Sequence, residues 1–261
     1  METLRQLLSW FTAPAHWSGP DGVPERVVEH LELSFIAVAF ALAIAVPVGL
    51  WVGHKHRFEF AALSTANIGR AIPSFALLVI VFIVMVNVTP GIAFGPGPTV
   101  VALTLLAIPP ILTNTSVGVE SVDPDMVESA RGMGMREREI LTRLELPLAA
   151  PLMMAGIRTA TLQVIATATL AALIGGGGLG RLIVDGFAQG NRAMTIAGAV
   201  LVSALAVGVD LALALVERAV TPRTSSAQRR RRLGEWAFFP RRPRPRAVSE
   251  PVPPTGSGTR P

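Results

Sequence analysis

The sequence predicts an all-α, polytopic membrane protein of about five transmembrane helices, on three observations. Of its 261 residues 51% are hydrophobic and only 16% charged, with a mean hydropathy of +0.51, a balance that a water-soluble domain would struggle to keep in solution. Several charge-free runs reach the length of about 20 residues that a helix needs to cross a hydrocarbon core about 30 Å thick. The remaining charge is gathered into short islands between those runs and into a C-terminal tail.

At the N-terminus, LRQLLSWF (Leu4–Phe11) is too short and polar for a signal-peptide core and lacks a convincing cleavage site. A short interfacial helix is expected there, within an external segment at 1–32. Leu33–Val52 is twenty residues without a charge and makes the first span. Its Pro47 and Gly49 are tolerable because packed membrane helices accept such breaks. No charge occurs from Ala71 to Val119, too long a run for one crossing, and NVTPGIAFGPGP (Asn87–Pro98) divides it into two spans, the first starting near Phe60. A fourth span is expected from about Leu148 to Ile174 and a fifth from about Ala193 to Val216, closing a transmembrane domain over 33–220. The tail, 221–261, is basic and Pro-rich with few large apolar side chains, which predicts disorder.

Positive charge near span ends stays cytoplasmic. Lys55 and Arg57 follow the first span, Arg131, Arg136, Arg138 and Arg143 lie between the third and fourth, and Arg229–Arg232 follow the fifth. The other side holds Arg5, Arg26, Arg181 and Arg192, with none between Asn87 and Pro98. The N-terminus is therefore expected outside and the tail inside, which an odd number of spans makes self-consistent. Eleven of the 22 arginines fall in the last 44 residues. Such a localised basic tail fits topology or anionic lipid better than nucleic acid.

The most informative stretch is the island ESARGMGMREREILTRLELP, Glu128–Pro147, with eight charged side chains and two glycines. Asp123 followed by Pro124 is a helix start, with an acceptor at the N-cap and proline in the first turn. Met126, Ala130 and Met133 then form one apolar stripe at i, i+4, i+7. Gly132 and Gly134 interrupt this helix. A second short helix carries Ile140 and Leu144, and Pro147 is expected to end it before the fourth span. An interfacial loop on lipid headgroups is the plain alternative.

The island resembles the cytoplasmic loop of binding-protein-dependent ABC transporter permeases. That family's pattern is E-A-A, three residues, G, nine residues, then I-x-L-P; here it reads Glu128, Ser129, Ala130, then Gly134, then Leu144, Leu146 and Pro147. Ser129 replaces alanine and Leu144 isoleucine, both preserving size. The resemblance runs over roughly Leu33 to Val220. It is closest to permeases for osmoprotectants such as glycine betaine, choline or carnitine, through GRAIPSFALL (Gly69–Leu78), IPPILTNTSVGVESVDPDMVESARGMGM (Ile108–Met135) and GIRTATLQVIATATLAALIGGGGLGRLI (Gly156–Ile183). Thr113 stands where family members often have arginine. The resemblance implies a type I, methionine-importer-like permease fold in a bacterial-type inner membrane, with the island as the helix that couples to an ATPase subunit. It also implies a second permease copy or homologue, two cytoplasmic ATPases and an external substrate-binding protein.

Other motifs are weaker. GGGGLG (Gly175–Gly180) has G-x-G-x-x-G spacing, but it follows an apolar helix, so a bend or close packing is expected there and not a dinucleotide. The only lysine is Lys55, so no phosphate-binding G-x-x-x-x-G-K-[ST] loop exists and ATP is expected on a partner chain. His16, His30, His54 and His56 make no zinc-ligand pattern, and no intramembrane serine pairs with a histidine, so neither a metal nor enzymatic chemistry is expected. Thr159, Gln163 and Thr167 fall at i, i+4, i+8 on the fourth span. This polar stripe is a candidate translocation pathway, with interhelical packing as the alternative. Arg70, Arg158 and Asp210 are the only charges within the spans, and snorkelling near the cytoplasmic ends would explain them. A secondary transporter would need a midplane ionisable pair or inverted repeats, neither evident in the sequence. An importer for an amino acid or another small solute remains an alternative within the family.

Overall fold

The computed structural model describes residues 2–55, 64 and 71–220. The expected start of the second span near Phe60, Arg70 and the tail from residue 221 lie outside the described residues. Every regular element among them is helical: α1 (Glu2–Thr12), α2 (Val23–Lys55), α3 (Ser74–Val88), α4 (Pro90–Ala93), α5 (Gly97–Glu120), α6 (Pro124–Gly132), α7 (Glu137–Ile140), α8 (Leu146–Ala168), α9 (Gly180–Ala188) and α10 (Arg192–Val220). Among the described residues four stretches are long and apolar enough to cross a membrane: α2, α5, Glu137–Ile174 and Arg192–Ala219. The apolar α3, 15 residues long, is the described part of the expected second span. α2 begins at Val23, well before Leu33, because Pro24 falls in its first turn, where a missing amide costs little, and Glu25, Arg26, Glu29 and Glu32 are good helix formers.

α5 is the centre of the bundle, packed on α2 along one side and α8 along another. Ala37, Ala41 and Ala45, spaced at i, i+4 and i+8 on α2, are fully buried against Leu103, Ala107 and Ile111 of α5, with Ala160, Val164 and Ala168 of α8 in the same core. Lipid tails are as apolar as leucine, so helices in a membrane associate through close van der Waals packing, which small residues permit. The crossings tighten further toward the α6 end. A β-carbon on Gly53 would lie 2.7 Å from the Ser116 carbonyl oxygen, and one on Gly156 would lie 2.5 Å from Asn114 Cβ. α10 packs chiefly on α9, α8 and α1. Its Val207, Leu211 and Leu215 are exposed, a face suited to lipid or to another subunit.

At the end of the bundle away from α6 the glycine run folds back on α2. Gly175 and Gly178 adopt φ of +85° and +82°, and the Gly178 amide donates to Glu29 Oε2 at 2.8 Å. Glu29 also accepts from Arg26 at 2.8 Å. The glycines thus serve a bend and a close approach of backbone to α2.

Candidate functional site

The charged island folds as two arms hung between α5 and α8. Asp123 caps α6, its carboxylate accepting from the Asp125 amide at 2.9 Å, with Pro124 in the first turn. The helix ends where Gly134 takes φ +86°, while the Met133 and Met135 amides close back onto Ser129 and Ala130 at 3.0 and 3.2 Å. A β-carbon on Gly134 would meet nothing within 4 Å. The bend therefore calls for glycine by its backbone angle and not by crowding within this chain.

The second arm differs from expectation. Pro147 does not end a short helix; the chain runs helically from Glu137 through α8 and on to Ile174. Between α7 and α8 the five residues Leu141–Glu145 form a π turn, in which the Leu146 amide bonds to the Leu141 carbonyl. The wider turn shifts the hydrogen-bond register so that Pro147 falls in the first turn of α8, where a missing amide costs little. Ile140 is fully buried at the root of this arm, and Leu144 faces α6.

The two faces of α6 are chemically distinct. One, with Met126, Ser129, Ala130 and Met133, meets Met135 and Leu144 across an open groove of about 450 Å³. Met126 and Met133 are exposed there, Met133 by 77%, so the expected apolar stripe points outward. The other face turns Val127, Glu128 and Arg131 toward a cavity of about 420 Å³, shared with His54 of α2, Glu120 of α5 and Glu145. Arg131 donates to Glu137 at 2.8 and 3.2 Å, tying the two arms together. That contact holds the guanidinium pKa above its ordinary value. Leu146 packs beneath, against Val119, Ala149 and Met153.

On α8 the polar stripe divides. Thr159 is exposed and bonds back to the Ala155 carbonyl at 2.9 Å, Gln163 is half-buried, and Thr167 is buried against the bundle. Arg158 and Asp210 do not snorkel apart. Arg158 Nη2 donates to Asp210 Oδ2 at 2.7 Å, and Nη1 stands 3.6 Å from Glu217, so an intramembrane ion pair joins α8 to α10. Sequence reasoning missed it because the pairing of α8 with α10 is a tertiary fact. The available signal was two lone opposite charges, one in each of two apolar spans.

Residues 45–222 match the family described as "binding-protein-dependent transport system inner membrane component". The chain belongs to this family. The permease is 41% identical over 195 residues to the glycine betaine/carnitine/choline transport system permease protein OpuCB of Bacillus subtilis (strain 168), covering 75% of this chain and 87% of that one. It is 40% identical over 197 residues to the choline transport system permease protein OpuBB of the same organism, covering 76% and 88%. The osmoprotectant import permease protein OsmW of Salmonella typhimurium is 34% identical, with 75% and 90% covered. Among solved structures, an inward-facing conformation of the MetNI methionine ABC transporter superposes with a TM-score of 0.68 at 25% identity, over 77% of the permease and 96% of that chain. The fold is that of type I importer permeases, and the permease is a multi-pass inner-membrane protein.

Proposed function

We propose that the chain is the membrane-spanning subunit of an ATP-driven importer for osmoprotectants, small quaternary ammonium compounds such as glycine betaine, choline or carnitine. The observation that carries this reading is identity of 40–41% over three quarters of the chain to permeases named for those substrates. ATP is bound and hydrolysed by two partner ATPases and not by this chain, which holds no cofactor of its own. An external binding protein delivers substrate, and a second copy or a homologue completes the path.

In this reading the island is the cytoplasmic coupling element. Glu128, Ser129, Ala130, Gly134, Leu144, Leu146 and Pro147 fix its shape, and the outward groove floored by Ala130 and Leu144 is the face offered to the ATPase. Desolvating the exposed Met126 and Met133 supplies the docking energy, and methionine suits a partner surface that shifts during the cycle. Thr159 and Gln163 line the path. The face they share with Ala155 and Ala166 is exposed, small and polar, and polar groups at membrane depth turn from lipid toward water or another subunit. Thr167, buried in its own bundle, takes a packing role.

The orientation follows from charge: the N-terminus and the turns at 89–97 and 175–191 lie outside, and the island and tail inside. The test is uptake of labelled betaine, choline, carnitine and methionine in cells with and without the complete transporter. Uptake of methionine alone rejects the osmoprotectant assignment and favours an amino-acid importer.

A further inference from the structure

His54, in the last turn of α2, joins the first span to both arms of the island. Its Nδ1 lies 2.6 Å from Glu145 Oε2 in the π turn, and its Nε2 lies 3.1 Å from Glu137 Oε2 at the start of α7. The imidazole is only 6% exposed and the Glu145 side chain 5%. Glu137 is in turn held by Arg131 of α6. One ring therefore sits at the meeting point of α2, α6, α7 and the turn that roots α8.

Ionised carboxylates only accept hydrogen bonds, so both contacts are complete only when both ring nitrogens carry protons. Around the ring stand Lys55 on α2, Glu120 on α5, Glu128 and Arg131 on α6, Glu137 on α7 and Glu145 in the π turn. The ring thus bridges two carboxylates on different elements, and a side chain without two donors leaves one of them unbonded to α2. The adjoining cavity of about 420 Å³ gives the arms room to move once that contact is lost.

We propose that His54 is a positioning residue for coupling. By bridging Glu145 and Glu137 it clamps the end of α2 to both arms, so that a displacement of the island moves α2 together with α8. Loss of that bridge frees α2 from the arms and lowers the substrate moved per ATP hydrolysed. The coupling role rests on the reading of the island as the ATPase-docking element; the clamp itself does not.

The experiment uses the complete transporter reconstituted in lipid vesicles. Two readouts are followed for the parent, His54→Ala and His54→Gln: the ratio of substrate transported to ATP hydrolysed, and the distance distribution between spin labels on Val48→Cys and Arg138→Cys. The chain has no native cysteine, so the labels are specific. The unsubstituted clamp should give a narrow distance and a high ratio. His54→Ala should give a broad distance with a ratio down about tenfold. His54→Gln, which retains one donor group, should be intermediate on both readouts. A narrow distance in every variant overturns the clamp. A distance that broadens while the ratio holds overturns the role in coupling, and with it the reading of the island, while leaving the clamp intact. Should His54→Ala fail to assemble, His54→Gln decides on the same two readouts.

Discussion

Gly134 shows how one residue carries an expectation from sequence to mechanism. Its φ of +86° places it where a β-carbon costs an L-residue about 1–2 kcal/mol. The site around it is open, so steric exclusion within this chain adds nothing. Gly134→Ala should therefore fold and insert, and lower substrate-stimulated ATPase activity by a factor of about 5–30 if the bend must be kept for docking. Gly134→Trp adds bulk on the exposed surface and should abolish stimulation or release the ATPase, which co-purification measures. Equal activity of both variants and the parent would return the island to a solvated loop. Gln163 poses a milder question, since it is half-buried on a face with exposed Thr159. Gln163→Leu should slow uptake without loss of assembled complex, because a weakly binding polar path is what release requires. Unchanged uptake would assign the glutamine to packing.

Among elements, those decided by local chemistry were legible in the sequence and those decided by tertiary register were not. The cap at Asp123, the glycine bend and the apolar stripe of Met126, Ala130 and Met133 follow from residue types at short spacing, whereas the exposure of its two methionines does not. The π turn at Leu141–Glu145 does not, because ELPLAAP reads as a helix stop until α8 is seen to continue the helix beyond Pro147. The junction at His54 was equally hidden: its partners lie 83 and 91 positions away (137 − 54 and 145 − 54), with no periodic signal to connect them. The Arg158–Asp210 pair belongs to the same class, and a charge reversal tests whether it is a structural link between α8 and α10. Arg158→Asp or Asp210→Arg alone sets two like charges together at membrane depth and should reduce the amount of inserted protein. The double exchange restores the pair and should recover insertion, as measured by membrane-fraction yield. Recovery of insertion without recovery of uptake would place the pair on the substrate path, where the direction of the charges matters.

For the whole molecule, the decisive quantity is which end of the bundle meets the cytoplasm. The two ends are chemically unlike. One gathers the turn at Gly95, the glycine run and the Arg26–Glu29–Gly178 contacts; the other gathers Lys55, His54 and the arms of the island with Arg131, Arg136, Arg138 and Arg143. Basic residues on short loops resist translocation, so the second end is expected inside. A chain without cysteine allows single-site labelling at either end. Gly95→Cys should react with a membrane-impermeant thiol reagent on intact cells, whereas Arg138→Cys should react only after the cells are opened. The reverse pattern would invert the permease and remove the island from any cytoplasmic ATPase. Truncation after Gly234 separates this charge signal from the coupling signal, because it removes Arg241, Arg242, Arg244, Arg246 and Arg260 but leaves Arg229–Arg232, which follow the last span in the sequence, and the whole island. Orientation and coupled uptake should both survive it. If uptake were lost while labelling stayed the same, the tail and not the island would be the part of the chain that the motor requires.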